Sequence, residues 1–360
     1  MIPVLSPTID EKTVAEVVKV LKSGWWGFGP KTIEFEKKFA DYVGAKYAVG
    51  VNSGTSALDL CLKAYDIKGG ELITTAFTFV SDAIVGEWNG MDVTFADIDA
   101  DTFCLDPKTV HITKNTKAII TVDSHGRLAD IDGLRKKFEG LIIEDAAHAM
   151  LTPGTGKKGD ITIWSFQAVK TLPTGDGGMI TTNDEKIYKR LRTLTWLGIE
   201  KHTYERSEGK RYTWDYDIIQ SEGIKAYMND LTAVIGLGQL ERLEEMNAKR
   251  RAIQACYNSG FENVLGVFAV PLFSHTVQYY TMKCKNRDAL SDYLASKGIA
   301  TSVHFKPLSE MTYWKKAVKH ELPVTSSVWK ELLTLPCHDG LTWKQVDYII
   351  NSVWEFYEDQ

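Results

Sequence analysis

Short apolar runs alternate with amphipathic stretches through the first half of the chain, and that alternation limits the fold more than any other feature. "KYAVGVNSG" precedes the helical pattern "TSALDLCLKAY", and "GGELITTAFTF" precedes "VSDAIVGEWNG". "MDVTFADID", "TKAIITVDS", "LIIEDAA" and "ITIWSF" supply further strand candidates. Strands separated by helices of about ten residues predict an α/β domain with a mostly parallel central sheet. Ligands of such sheets gather at the carboxyl ends of the strands, so chemistry is expected just after the apolar runs.

The rest of the chain extends this plan. Ahead of the strands, "DEKTVAEVVKVLKSG" aligns Val14, Val17, Val18 and Leu21 on one stripe and stops at Gly24, and "KTIEFEKKFADYVG" follows as a second helix. After "GGMITTND" and the helix "EKIYKRLRTLTW", residues 198–222 form a polar, aromatic-rich stretch without clear period. A connection that long inside a compact protein is usually functional or mobile. "NDLTAVIGLGQLERLEEMNAKRRAIQACYNSG" reads as one long helix despite Gly236 and Gly238, leading to a smaller C-terminal α/β domain. That domain is expected to contain "TVQYYTMKCK", the helix "RDALSDYLASKG", the strand "IATSVHF" and a final helix "TWKQVDYIINSVWEFYE". The expected division is 1–245, an N-terminal arm and large domain, and 246–360, the small domain.

Composition excludes several classes. A net charge of −5 and the absence of a basic run beyond three residues argue against a nucleic-acid face. Five scattered cysteines without a CxxC pair fit neither a zinc site nor a disulfide framework, so no metal is expected. No basic-then-apolar leader and no window of about 18 apolar residues occurs, giving the expectation of a cytoplasmic protein with no membrane segment. A nicotinamide-binding domain would need GxGxxG after its first strand; "GFGP" and "GDGG" have the wrong spacing and context.

Four places carry candidate chemistry. In "WSFQAVKTLPTGDGG", Lys170 sits among apolar, hydroxyl and glycine neighbours. Desolvation favours a neutral amine able to form a Schiff base, although a lysine near a turn also reads as ordinary surface. "LIIEDAAHA" ends a strand at Asp145, with His148 three residues on and expected on the same helical side. A buried carboxylate there can hold a pyridine nitrogen protonated, though strand-end acids also cap helices or bind metal. "VNSGTSALDL" crowds Ser53, Thr55 and Ser56 around a glycine at a helix start, suited to a phosphate or to a plain N-cap. Phe79 in "TAFTFVSD" follows a strand and can lie flat on a ring or fill core.

In chain order these are a phosphate cradle, a stacking ring, an acid for a ring nitrogen and a lysine, which is what pyridoxal 5′-phosphate (PLP) requires. The sequence resembles the DegT/DnrJ/EryC1/StrS family of sugar-nucleotide aminotransferases, which have the type I PLP fold. The likeness covers nearly the whole chain, through "SGWWGFGPKTIEFEKKFADYVGAKYAVGVNSGTSALDL", "AFTFVSDA", "IIEDAAHA", "WSFQAVKTLPTGDGGMITTND", "MNDLTAVIGLGQLERL" and "YLASKGIATSVHFKPL". The resemblance implies that Lys170 carries the cofactor as a Schiff base and moves protons. It implies that Asp145 pairs with the ring nitrogen, that Phe79 stacks on the ring, and that Thr55, Ser56 and Ser165 hold the phosphate. Asn229 would reach the phosphate in a neighbouring subunit, implying a homodimer with shared sites. Two departures stand out: His148 replaces the glutamine that many relatives carry near the 3′-oxygen, and "VDSHGRLADID" replaces "H-x-x-G-Q-x-A-D". His125 and Arg127 are accordingly assigned to substrate recognition. Trp25, Trp26 and Phe28 lie in a segment that borders the sugar pocket in relatives, and a core role for them is equally open. Trp214, Asp215, Tyr216, Asp217 and Ile218 resemble branches acting at C4 of a 4-keto-6-deoxyhexose. Expected substrates are a small amino-acid donor and a keto-sugar nucleotide. A dehydratase of the same fold would replace the lysine with histidine, and a non-catalytic PLP-binding regulator would need a nucleic-acid-binding extension.

Overall fold

The computed structural model describes residues 1–207, 216–269 and 275–358. Its elements follow from local signals. Helix α1 (Glu11–Ser23) starts where the Asp10 carboxylate accepts the Thr13 N–H at 2.9 Å, and it ends at Gly24 with φ +76°. α2 (Pro30–Val43) opens on a proline at its first turn. Then come β1 (Tyr47–Val51), α3 (Gly54–Ala64), β2 (Glu71–Thr75), α4 (Ser81–Trp88), β3 (Asp92–Ala96), β4 (Thr116–Val122), a short α5 (Ile131–Arg135) and β5 (Leu141–Asp145). β6 (Ile161–Ser165), β7 (Gly178–Thr182), α6 (Glu185–Leu194), α7 (Thr203–Ser207) and the 32-residue α8 (Asp230–Phe261) follow. β8 (Val267–Ala269), β9 (Tyr280–Cys284), α9 (Arg287–Ser296), α10 (Pro323–Glu331), β10 (Leu332–Leu335) and α11 (Trp343–Glu358) complete the chain.

Seven strands form one sheet in the order β1-β7-β6-β5-β4-β2-β3. β7 alone runs against the others, pairing antiparallel with both β1 and β6. The parallel strands β5 and β6 are buried along almost their whole length, which is why their apolar residues Leu141, Ile142, Ile143 and Ile161, Ile163, Trp164 fall on both faces. A second sheet, β10-β9-β8, is antiparallel. The N-terminal arm joins it: Ile2 pairs with Ile299 and packs on that sheet's core. Conversely, Leu308, Trp314 and Leu322 pack with the core of the large sheet.

α8, about 48 Å long at 1.5 Å per residue, passes both cores. A Cβ on Gly236 would lie 2.6 Å from the Phe35 ring, and one on Gly238 would lie 2.0 Å from the Thr13 hydroxyl. These two glycines let α8 approach α2 and α1 closely, so they serve packing and do not end the helix.

Three expectations need correction. "IATSVHF" forms no strand; Ser302 makes a single bridge to Thr334, while Ile299 supplies the buried apolar contact that the pattern recorded. The residues after Asp145 form turns, so Asp145 and His148 share no helix face. The α1 stripe points outward, leaving Val14, Val18 and Leu21 exposed while Thr13 and Val20 are buried. Within 198–222, α7 and the bridge between Ile199 and Ile218 give the stretch local structure. Trp214 and Asp215 lie outside the described residues.

Candidate active site

The carboxyl ends of the parallel strands open into a cavity of about 370 Å³. Thr55, Phe79, Asp145, His148, Ser165 and Lys170 all face it. Sequence reasoning chose these six from four separate segments, and the fold brings them together.

The α3 end of the cavity suits an anion. Ser53 caps the helix, its Oγ accepting the Ser56 N–H and donating to the Ser56 Oγ, both at 3.0 Å. The cap places Thr55 and Ser56 in the first turn, where unpaired N–H groups and the helix field favour a phosphate. Ser56 supports this turn and is not part of the cavity wall. Glycines make the close approach possible. A Cβ on Gly54 would stand 3.2 Å from that of Ser165, and one on Gly178 would stand 2.9 Å from the Gly54 nitrogen. The "GDGG" run therefore presses β7 against the start of α3, and Gly175 takes φ +95°, the left-handed region.

Lys170 lies in the loop between β6 and β7. Its N–H donates to the Gln167 carbonyl at 2.8 Å, and Thr174 N–H returns to the Phe166 carbonyl at 2.8 Å. Fully buried Gln278 clamps this loop on both sides of the lysine. It donates from Nε2 to the Val169 carbonyl at 2.7 Å and accepts from the Thr171 hydroxyl at 2.8 Å. Burial beneath the surface depresses the Lys170 amine from its ordinary 10.5 to about 8, against the opposing attraction of Asp145 and Asp82. A cavity-facing lysine with a largely accessible neutral form is a nucleophile and a base.

Asp145, at the end of β5, accepts the Ala147 N–H at 2.8 Å and is 5% exposed. Burial raises its carboxyl, while a hydrogen bond from Asp82, the Ala147 N–H and Lys170 oppose the rise. His148 is buried and held neutral by desolvation and by nearby Lys170, and its Nδ1 has no partner among the described residues. Phe79 is 59% exposed although it borders the cavity.

These features fit PLP. A flat heterocycle would cover the Phe79 ring, the partnerless His148 Nδ1 is available to a ring substituent, Asp145 suits a ring nitrogen, and the α3 terminus with Ser165 suits the phosphate. Chemistry that the sequence did not single out comes from distant segments: Tyr279, His304 and Phe305 also line the cavity. The Tyr279 and His304 rings stack at 3.9 Å between centroids, and His304 Nδ1 lies 3.0 Å from the Thr334 hydroxyl. Only a histidine at the end of an apolar run hinted at them.

The remaining candidates are placed elsewhere. His125 and Arg127 do not line the cavity. His125, at φ +54°, packs edge-on to His148 (6.3 Å between centroids) and to Tyr279, with its Nδ1 2.8 Å from the Ser124 hydroxyl. Arg127 is buried over the Phe103 ring. Both support the wall from behind. Trp25 and Trp26 border a separate hollow of about 260 Å³ with Phe28, Trp196, His202 and Tyr227. Asn229 caps α8, accepting the Thr232 N–H at 2.8 Å, and is not in the cavity wall of the single chain.

Comparison with known proteins agrees with this geometry. The model of the DegT/DnrJ/EryC1/StrS aminotransferase family matches residues 7–354. The spore coat polysaccharide biosynthesis protein SpsC of Bacillus subtilis is 35% identical, the match spanning 98% of this chain and 96% of SpsC. The PLP-form of Spr1654 from Streptococcus pneumoniae superposes with a TM-score of 0.90 at 30% identity over 99% of both chains. The sugar aminotransferase CalS13 from Micromonospora echinospora gives 0.87 at 28% identity, over 99% of this chain and all of CalS13. With the lysine, the acid and the phosphate cradle in one cavity of a type I fold, the chain belongs to the DegT/DnrJ/EryC1/StrS family of PLP-dependent sugar aminotransferases.

Proposed function

We propose that the enzyme moves the amino group of L-glutamate to the keto carbon of a nucleotide-linked 4-keto-6-deoxysugar, with C4 favoured over C3, in the cytoplasm, for glycan biosynthesis. The observation that carries this reading is the partly neutral Lys170 amine, which shares one cavity with Asp145 and the α3 terminus. SpsC, a polysaccharide-biosynthesis relative, supports a sugar acceptor, and retention of Lys170 argues against the dehydratase branch.

Bound PLP supplies an electron sink beside the transferred nitrogen. Lys170 Nζ takes the proton from the donor's α-carbon and returns one on the far side of the transfer, a task suited to an amine near the working pH. The Asp145 carboxylate keeps the ring nitrogen protonated. Phe79 would cover one ring face and exclude water, His148 would orient the 3′-oxygen, and Thr55 and Ser165 would hold the phosphate, with Ser56 bracing the turn that presents it. Asn229 is assigned to the neighbouring subunit's phosphate, because it stands outside its own chain's cavity. The exposed Val14, Val18 and Leu21 supply apolar surface for such a homodimer. Trp25 and Trp26 are assigned to the sugar side of that shared site.

Two measurements test the reading. Lys170→Ala is expected to fold, to lack the visible band of bound cofactor and to show no transamination; normal turnover would reject it. Incubation with glutamate and a panel of 3-keto and 4-keto sugar nucleotides, read by mass spectrometry, is expected to yield an amino sugar from a 4-keto-6-deoxy member. Amination of 3-keto members alone would shift the assignment to C3.

A further inference from the structure

We propose that Asp82 is a neutral hydrogen-bond donor to Asp145, fixing the orientation and the single negative charge of the acid that faces the cofactor ring. This rests on the placement of Asp145 opposite the ring nitrogen. Asp82 sits in the first turn of α4, is 1% exposed and, like Asp145, lines the cavity. Its Oδ2 accepts the Thr78 hydroxyl at 2.6 Å, whereas no donor among the described residues reaches its buried Oδ1. A buried oxygen without a donor is costly, and so is a second negative charge beside the first. One proton on Asp82 removes both costs, because the oxygen then donates to the neighbouring carboxylate.

The surroundings place the proton on Asp82 and not on Asp145. Burial and the adjacent Asp145 push the Asp82 carboxyl well above its usual range, while Thr78 and Lys170 oppose this only in part. Asp145 is raised less, since Asp82, the Ala147 N–H and Lys170 all favour its charged form. The start of α4 favours an anion at Asp82, but that exposed-surface effect is outweighed by burial against a like charge. Asp145 is thereby held by two donors from different elements. A carboxylate with an extra donor is a weaker base, so a proton between it and a ring nitrogen stays on the nitrogen. Asp82 is a positioning residue: it acts on the ring only through Asp145.

The experiment uses the full-length chain. Infrared spectra of the cofactor-free protein at neutral pH are expected to lose one protonated-carboxyl carbonyl band in Asp82→Asn. Burial and neighbouring Glu144 also raise the Asp123 carboxyl, so a band from it is expected to be removed separately by Asp123→Asn. A spectrum unchanged by Asp82→Asn means an ionised Asp82 and overturns the proposal. Titration with PLP supplies the second readout. Asp82→Asn, which keeps a neutral donor, is expected within about threefold of the wild-type affinity, whereas Asp82→Ala is expected to weaken it by about tenfold or more, the value of a hydrogen bond to a charged group. Equal loss in both variants, or none in either, overturns the proposal. If Asp82→Ala does not fold, the Asn variant and the infrared band still decide. Wild-type-like PLP binding by Asp145→Ala would instead reject the placement of Asp145, while the infrared result on Asp82 would stand by itself.

Discussion

A lysine stored at a pKa of about 8 should destabilise the chain that stores it, by an amount that depends on pH. In the unfolded chain the amine titrates near 10.5, so between about 8 and 10.5 the unfolded state binds more protons and stability rises with pH. Below about 8 both states carry the proton and the cost is complete, at about 3 kcal/mol for a depression of this size. At pH 9.5 the native amine is neutral and the unfolded one still mostly charged, which leaves about 1 kcal/mol. Lys170→Met keeps most of the side-chain volume and deletes the titration. In the cofactor-free protein it is expected to raise the melting temperature by about 4 °C at pH 7, taking the unfolding entropy of a chain this long at about 0.8 kcal/mol per degree. At pH 9.5 the gain should shrink to about 1–2 °C. Calorimetry at the two pH values reads this directly. A gain that is the same at both, or a loss that grows toward pH 7, would refute the claim that burial holds Lys170 partly neutral.

Two further outcomes follow from packing. Gln278→Leu leaves the Val169 carbonyl and the Thr171 hydroxyl without their shared partner, so calorimetry should show a loss of about 2–4 kcal/mol and titration a weaker PLP affinity, because the clamp lies on both sides of Lys170; unchanged values for both would remove the clamp from the account. Gly236→Ala, which in an open helix would stabilise by about 1 kcal/mol, should instead destabilise by about 1–3 kcal/mol because Phe35 is fully buried beside Phe39 and Phe166; denaturant titration gives the sign, and a stabilised variant would show that α8 and α2 have room to part.

The legible part of this protein is what neighbours in sequence can specify. Strands buried on both faces are rich in apolar residues, so β1 to β6 announce themselves, and chemistry placed soon after a strand inherits that clarity. Thr55, Phe79, Asp145 and Lys170 were chosen from their places after such runs, Ser165 through the family resemblance, and all five line the cavity. Patterns that record burial with little pairing mislead: "IATSV" looks like a strand because Ile299 is buried, yet its pairing is limited to isolated bridges from Ile299 to Ile2 and from Ser302 to Thr334. The α1 stripe misleads in the opposite direction, since its apolar periodicity is real and yet Val14, Val18 and Leu21 stay exposed. Asp82 shows the deeper limit. In sequence it is an acid in the first turn of a helix, for which the helix field is sufficient explanation. Its significance arises only when the crossing from β2 to α4 sets it beside the end of β5, sixty-odd residues away, with one oxygen left unpaired. Local sequence thus names groups that line the cavity, whereas what holds and tunes them comes from contacts between segments: Gln278 clamps the Lys170 loop, His304 stacks on Tyr279 in the cavity wall, and Asp82 bears on Asp145.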